Sequence, residues 1–242
     1  MTYVPLSPQG RVILISGANR GIGRAIAERL YADGYSLGLG ARKPASLDPL
    51  LDRMDKSRAF GHAYDAGSPR SAADWVAATA KHFGRIDGVV NNAGIGHDFS
   101  VESEEESKLD EMWEVNTKGP LRVIRAAYPF LKASGSGRVI NIVSLSGKRV
   151  TTDVYTGYSM SKFATLALTH GVRYSGWKHG IRATAICPGY VATDMTADVT
   201  AIASADMIQP GAIASLVATV LSLPNSASVV EIPVNCRLEH SV

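Results

Sequence analysis

Short apolar runs alternate along this chain with longer stretches in which apolar residues recur every three or four positions. The short runs predict buried strands at Val12–Ser16, Ser36–Ala41, Gly88–Asn91, Arg138–Ser144, Arg182–Cys187 and Val229–Val234. The longer stretches predict helices at Ile22–Asp33, Ser71–His82, within Leu109–Lys132, at Ser159–Lys178 and at Ala212–Leu223. Strands that are apolar throughout, each followed by a helix, are typical of a parallel sheet covered on both faces.

This order of elements predicts an α/β fold, a single-domain Rossmann-type doubly wound parallel sheet in three α/β/α layers over residues 1–242. The hydrophobic content of 45% is enough for one core of this kind. We find no internal repeat, low-complexity segment or linker in the sequence. The acidic stretch Glu102–Glu106 is interpreted as the solvent-exposed start of a helix.

Composition narrows the class of protein. The formal net charge is only +3, without a run of Lys and Arg, so nucleic acid is not an expected partner. Cys187 and Cys236 lie too far apart for a disulfide framework, which favours a reducing, cytoplasmic location. The N-terminal residues do not resemble a signal peptide, and no stretch approaches the roughly 18 apolar residues of a membrane span. The six histidines lack metal-ligand spacing, so we expect neither a membrane partner nor a metal site.

A glycine-rich loop follows the first predicted strand. Gly17, Gly21 and Gly23 open the first predicted helix, where glycines allow a tight turn and let a pyrophosphate approach backbone N–H groups. A strand-to-helix turn without a ligand is the alternative. The position of the loop between a strand and a helix, with a second strand following, favours dinucleotide binding.

Tyr158 and Lys162 are four residues apart, so on a helix their side chains share one face. An unperturbed tyrosine titrates near pH 10. A neighbouring ammonium, together with the positive charge of the nicotinamide in an oxidised cofactor, is expected to favour the phenolate and lower that pKa. The tyrosine could then donate a proton to a carbonyl oxygen, or remove one from an alcohol. Such a pair alone is common on helix surfaces, so its meaning depends on the motifs around it.

Three motifs in order carry a family resemblance. The loop Gly17–Gly23, the NNAG at Asn91–Gly94 and the YSMSK at Tyr158–Lys162 resemble the short-chain dehydrogenase/reductase family, and the match runs from about residue 10 to residue 195. The resemblance is to its short, single-domain, NADP-preferring branch. It implies an enzyme that transfers hydride between a nicotinamide and a carbonyl or secondary alcohol.

The second strand bears on the choice between NADP and NAD. An NAD-selective site places a carboxylate at the end of this strand, but here the position is Ala41, followed by Arg42. Arg20 in the glycine loop supplies a second cation, and two guanidinium groups suit a 2′-phosphate. NADP is therefore the expected cofactor and NAD the less favoured one. Alternatively, both arginines are ordinary surface cations.

The resemblance implies two sets of site residues. The cofactor-binding residues are Gly17, Asn19, Arg20, Gly21, Ile22, Gly23, Arg42, Asp65, Ala66, Asn92, Ala93, Gly94, Tyr158, Lys162, Pro188, Gly189, Val191 and Thr193. The catalytic residues are Asn116, Ser144, Tyr158 and Lys162.

Within these sets, the resemblance gives Asp65 a contact with adenine and Asn91–Gly94 a place beside the ribose. Val191 and Thr193 would approach the nicotinamide. Asp65 could instead be a turn cap.

The resemblance also gives the catalytic residues their roles. Ser144 would hydrogen-bond the substrate oxygen, with Ser146 as a competitor for that role. Asn116 would hold a water that links the lysine to solvent, or else be a helix-kink residue satisfied by the backbone. Tyr155 is excluded as the acid because position 159 is a serine.

The C-terminal sequence SVVEIPVNCRLEHSV departs from the family, which often ends in a glycine pair. The resemblance implies a homodimer or homotetramer, but this C-terminal region, which often forms subunit contacts in the family, does not follow the family pattern here. Residues 190–210 are expected to form a lid over the substrate.

Three functions are compatible with these residues. The favoured one is NADPH-dependent reduction of a small-molecule carbonyl. An NAD-dependent alcohol dehydrogenase working oxidatively, or a non-catalytic NADP-binding redox sensor, are the alternatives. The presence of all four catalytic residues argues against the sensor.

Overall fold

A computed structural model describes residues 4–238 as a seven-stranded, wholly parallel sheet with helices on both faces. The strands are β1 (Val12–Ser16), β2 (Ser36–Ala41), β3 (Ala59–Ala63), β4 (Gly88–Asn91), β5 (Arg138–Ile142), β6 (Arg182–Pro188) and β7 (Glu231–Val234). The helices are α1 (Gly21–Asp33), α2 (Asp48–Leu51), α3 (Ser71–Phe83), α4 (Ser107–Met112), α5 (Gly119–Ala133), α6 (Thr156–Gly176) and α7 (Pro210–Ser222). The predicted doubly wound fold is confirmed.

The spatial order of the strands is β3-β2-β1-β4-β5-β6-β7. From β1 the sheet grows first towards β3 and then, starting with β4, in the opposite direction. Ligands of such sheets bind beyond the carboxyl ends of the strands at this switch point between β1 and β4. The loops that follow β1, β4, β5 and β6 carry the glycine turn, the NNAG motif, Ser144 and Gly189. The predicted site residues therefore lie together at the carboxyl ends of the strands.

The core has two halves because both faces of the central strands are apolar. Ile13 and Ile15 of β1 pack under α1 and α7, whereas Leu14 between them packs on the opposite face under α3 and α5. Since successive strand residues point to opposite faces, an unbroken apolar run requires helices on both sides. This is the physical reason for the three layers.

Several features differ from the sequence predictions. The short helix α2 was not predicted, and β5 ends at Ile142 instead of Ser144. Strand β3 was not predicted, because most of its side chains are partly exposed and its apolar pattern is weak. A π-helical segment, Trp113–Lys118, interrupts the single long helix expected within Leu109–Lys132. The acidic stretch Glu102–Glu106 is mostly exposed, but it lies in a loop before α4 and does not begin the helix.

Buried arginines lie at the opposite end of the sheet, where the strands begin. Arg11, Arg138 and Arg182 stand at the beginnings of β1, β5 and β6, each less than a tenth exposed. Arg138 donates to the carbonyl oxygens of Gly137, Gly180 and Leu223 at 2.8, 3.3 and 2.6 Å. Some of the chain's cations therefore form hydrogen bonds inside the protein, to backbone carbonyl oxygens that include those at helix ends. The amino-acid composition alone does not reveal this.

No helix within residues 4–238 is both long and apolar enough to cross a lipid bilayer.

Candidate active site

The glycine loop is shaped to leave room for a ligand at the start of α1. Gly17 and Gly21 have φ of 64° and 53°, which other residues rarely adopt. A Cβ on Gly23 would lie 2.2 Å from the carbonyl oxygen of Gly17, so this position admits only glycine. No side chain caps α1 and its first turn holds no acidic residue. Its free N–H groups therefore fit the diphosphate of a dinucleotide.

The NNAG motif fastens this loop to the sheet. The backbone N–H groups of Asn92 and Ala93 each donate to Ser16 Oγ at 3.0 Å. The Asn92 side-chain amide donates to the carbonyl oxygens of Ser16 and Gly17, both at 3.1 Å. These bonds fix the glycine turn in place. Gly94 lies beside Lys162, because a Cβ built on Gly94 would be 3.5 Å from Lys162 Nζ.

The two arginines proposed for the 2′-phosphate differ in their contacts. Arg20 is paired with Asp194 at 2.9 Å, and both side chains are largely exposed. Arg42 follows β2 at the surface, with no ion pair to the described residues. The structure therefore does not show the two guanidinium groups converging: Arg42 is available to an anion, and Arg20 must first leave Asp194.

Asp65 takes part in a local turn. Its Oδ1 accepts a hydrogen bond from the N–H of Gly67 at 3.0 Å, and its own N–H donates to Ser71 Oγ at 2.9 Å. This is the turn-capping arrangement named as the alternative. Ala66 beside it is buried against Gly119.

Helix α6 carries Tyr158 and Lys162 to the carboxyl edge of the sheet. Lys162 is only 5% exposed, and its Nζ lies 5.6 Å from the centre of the Tyr158 ring. The Lys162 ammonium donates to the carbonyl oxygen of Ile142, the last residue of β5, at 3.1 Å. The spacing prediction that placed tyrosine and lysine on one helix face is thus met in the folded chain.

The pKa values of this pair differ from the expectation. Burial raises the pKa of Tyr158 to about 12, and a hydrogen bond with the Ser144 side chain offsets part of that rise. Burial likewise lowers the pKa of Lys162 to about 8. The lowering expected from the lysine and an oxidised nicotinamide together is not seen in the protein without cofactor. Loss of water around the phenol is the main cause of the raised pKa of Tyr158.

Ser144 lies directly after β5, within reach of Tyr158. Its Oγ accepts from the N–H of Ser146 at 3.1 Å and donates to the carbonyl oxygen of Pro188 at 3.4 Å. The hydroxyl is thus held between the following short 3₁₀ turn, Leu145–Gly147, and the end of β6. Ser146 therefore contacts Ser144 through its backbone N–H.

Asn116 lies inside the π-helical segment and is 1% exposed. Its side chain accepts from the N–H of Ile95 at 2.9 Å and donates to the carbonyl oxygen of Ile95 at 2.8 Å. The amide also donates to Ser161 Oγ at 3.0 Å. The helix distortion thus falls at a residue that is predicted to be catalytic, and π-helical turns are frequent at functional sites.

The loop after β6 approaches the glycine turn. Gly189 donates its N–H to Val234 at 2.8 Å. The Thr193 hydroxyl donates to the carbonyl oxygen of Val191 at 3.3 Å, so it faces its own loop. The Thr193 methyl lies 3.2 Å from a Cβ placed on Gly21. This segment therefore lies across the place where the cofactor diphosphate would bind.

Two polar residues that support the site were not predicted. Ser161 bonds the Asn116 amide, and Thr165 donates its hydroxyl to the Asn116 carbonyl oxygen at 2.8 Å. Both lie on the Tyr158 helix at spacings of three and seven residues, so helical periodicity could have placed them on that face. Within residues 4–238 no cluster of three or more His, Cys, Asp or Glu is arranged to bind a metal.

A glycine turn that leads from a parallel strand into an uncapped helix is typical of α/β proteins that bind dinucleotides. The family model for short chain dehydrogenases matches residues 11–203. The chain belongs to this family, whose members bind a nicotinamide cofactor.

Relatives of the chain are oxidoreductases by name. An agropine synthesis reductase of Rhizobium rhizogenes is 44% identical over 232 residues, which are 96% of this chain and 54% of the relative. The chain thus spans about half the length of this relative. An uncharacterised oxidoreductase of Staphylococcus saprophyticus is 33% identical over 93% of this chain and 97% of its own.

Solved structures share the fold along nearly the whole chain. An alcohol dehydrogenase of the archaeon Thermococcus sibiricus, complexed with 5-hydroxy-NADP, superposes with a TM-score of 0.85 at 30% identity, covering 95% of this chain and 99% of that one. A levodione reductase gives a TM-score of 0.84 at 28% identity, covering 93% and 96%.

Proposed function

We propose that this protein reduces a carbonyl group of a small molecule with NADPH. The observation that carries the proposal is the position of Tyr158, which lies in hydrogen-bond contact with the Ser144 hydroxyl and has Lys162 Nζ 5.6 Å from the centre of its ring. A general acid must hold its proton before the reaction and release it as negative charge develops on the substrate oxygen.

In this mechanism NADPH supplies the hydride when bound. The Ser144 hydroxyl donates a hydrogen bond to the carbonyl oxygen and fixes its position. Tyr158 Oη transfers its proton to that oxygen as the oxygen gains charge. The Lys162 ammonium, near the tyrosine ring, stabilises the phenolate that remains. Asn116 holds the chain near Ile95 in the shape that leaves room for these groups.

The NADP preference rests on charge at the end of β2. Ala41 offers no carboxylate to repel a 2′-phosphate, and the exposed Arg42 beside it is free to bind one. The structural relative from Thermococcus sibiricus was solved with an NADP derivative, which supports the same preference. An NAD-dependent enzyme with the same catalytic residues is the alternative that a cofactor comparison separates.

The reductive direction is supported by two relatives that carry the word reductase in their names, an agropine synthesis reductase and a levodione reductase. The alcohol dehydrogenase of Thermococcus sibiricus supports the reverse direction with the same residues. We also propose that residues 190–210 close over the substrate, and that the protein is a cytoplasmic homodimer or homotetramer, as family resemblance suggests.

The test is consumption of NADPH and of NADH by the wild type across a panel of aldehydes and ketones. Tyr158→Phe, with Tyr155→Phe as the matched control, should lower kcat by about 10²–10⁴-fold while the control retains activity. Arg42→Ala should raise KM for NADPH about tenfold or more and leave KM for NADH unchanged. Intact turnover in Tyr158→Phe would refute the catalytic assignment. Unchanged cofactor preference in Arg42→Ala would refute the NADP assignment.

A further inference from the structure

A partly buried ionic cluster lies behind Ser144, outside the residues used so far. Glu231 at the start of β7 accepts from Lys148 Nζ at 2.5 Å through one carboxylate oxygen. Its other oxygen is paired with His170 Nε2 at 2.9 Å. Lys148 and Glu231 side chains are 21% and 23% exposed, so solvent screens this pair less than the surface pairs. We call these three residues the β7 clamp.

The β7 clamp joins three elements that bear on catalysis. Lys148 ends the short 3₁₀ turn that begins at Ser144. His170 lies two helical turns beyond Lys162 on α6, the helix that also carries Tyr158. Glu231 belongs to the strand that pairs with β6, whose last residue, Pro188, accepts the Ser144 hydroxyl. One carboxylate therefore connects the serine turn to the tyrosine helix through the edge strand.

The serine turn needs such a restraint. Ser144 Oγ is oriented by the N–H of Ser146 inside the turn, so a shift of the turn rotates the hydroxyl. The turn is packed tightly on α6, because a Cβ on Gly147 would lie 2.9 Å from the Lys162 carbonyl oxygen. At the end of the turn, the Lys148 ammonium links the turn to Glu231 of β7. Releasing Lys148 would remove this side-chain link between the turn and β7.

The charges favour the clamped arrangement. The hydrogen bond from Lys148 is the main reason that the pKa of Glu231 lies below its usual value. Glu231 is therefore ionised at neutral pH and holds Lys148 by a charge-assisted bond, which is stronger than a neutral one. Glu231 belongs to the C-terminal sequence that departs from the family pattern, so the departure supplies a contact of its own.

We propose that Glu231 is a positioning residue, which holds the Ser144 turn in register with Tyr158 through Lys148. The inference rests on the proposed reductase function. Displacements of reacting groups by about 1 Å can cost about 10²-fold in rate. A partly released turn should therefore lower kcat about tenfold, while the glycine loop after β1, which follows a different strand, keeps its shape.

The experiment compares Glu231→Ala, Glu231→Gln and Lys148→Met with the wild type. We expect Glu231→Ala and Lys148→Met to lower kcat about tenfold each, with KM for NADPH unchanged within twofold. The double variant should be no slower than either single one, because both remove the same contact. Glu231→Gln keeps the shape and a hydrogen bond to Lys148, so it should recover part of the rate. Asp33→Ala, which breaks an exposed pair on α1, is the matched control.

Hydrogen exchange of the amides of residues 145–149 supplies a readout without turnover. Faster exchange there in Glu231→Ala, with the rest of α6 unchanged, supports the clamp. Unchanged exchange, an unchanged kcat, or a parallel rise of KM for NADPH would each overturn it. If the wild type itself reduces no carbonyl, the proposed function fails, and with it the proposed effect of Glu231 on kcat. The exchange data would then still report separately whether Glu231 holds the turn.

Discussion

Replacing Lys162 by methionine should stabilise the protein while abolishing turnover. The buried ammonium forms one hydrogen bond to the described residues, to Ile142, and its pKa falls from 10.5 to about 8. At about 1.4 kcal/mol per pKa unit, keeping this group charged at neutral pH costs the folded state about 3 kcal/mol. Methionine has similar length and no charge, and losing the hydrogen bond costs about 1 kcal/mol. The net gain is about 2 kcal/mol.

Urea unfolding of the cofactor-free protein measures this gain, with a Tm rise of about 4–8 °C as a second readout. The gain should shrink between pH 7 and pH 9. Over that range the unfolded lysine keeps a proton that the folded one begins to lose, so wild-type stability rises with pH. Tyr158 and Cys187 have raised pKa values and oppose this trend only at higher pH.

Lys81→Met, at an exposed position on α3, is the control and should change the free energy of unfolding by less than about 0.5 kcal/mol. If Lys162→Met is less stable than the wild type at pH 7, or if its advantage does not depend on pH, burial does not destabilise the ammonium and the reasoning is wrong.

Three further predictions test other parts of the structure. Gly23→Ala should destabilise the protein by about 1–3 kcal/mol and weaken NADPH binding in a fluorescence titration, because its Cβ would overlap the glycine loop; Gly211→Ala, with open space around it, should do neither. Arg138→Met should lower the free energy of unfolding in urea by about 1 kcal/mol or more. Four acceptors lose their donor at about 1–3 kcal/mol each, which outweighs the relief of about 3 kcal/mol from removing a buried charge whose pKa falls to about 10; a gain in stability would contradict this. Asp194→Asn should tighten NADPH binding about two- to fivefold at low salt by releasing Arg20, with NADH binding unchanged; an equal effect on both cofactors would contradict the role of Arg20.

Much of the fold follows from local patterns in the sequence. The strand Val12–Ser16 and the strand Ser36–Ala41 were predicted at the bounds that the structure shows. Their unbroken apolar runs can be buried only between two layers of helices, so pattern and architecture are linked directly. The family motifs are also local, since each is a short segment at the end of a strand or on one helix.

Strand β3 and the π-helical segment could not be predicted this way. Strand β3 is defined by its pairing with β2 rather than by its own residues, most of which are partly exposed. The π-helical turn depends on contacts of Asn116 with Ile95 and Ser161, which lie far away in sequence. Local propensity carries no information about such partners.

The sequence by itself determined which residue types stand at the site and in what order: the glycines of the loop, Ser144, Tyr158 and Lys162. The tertiary structure decided their protonation and their partners. Burial raises the pKa of Tyr158 against the expectation from its lysine, Arg20 contacts Asp194, and Glu231 meets Lys148 across the edge of the sheet. Desolvation and long-range contact exist only once the chain is folded, whereas residue type and spacing are already present in the chain.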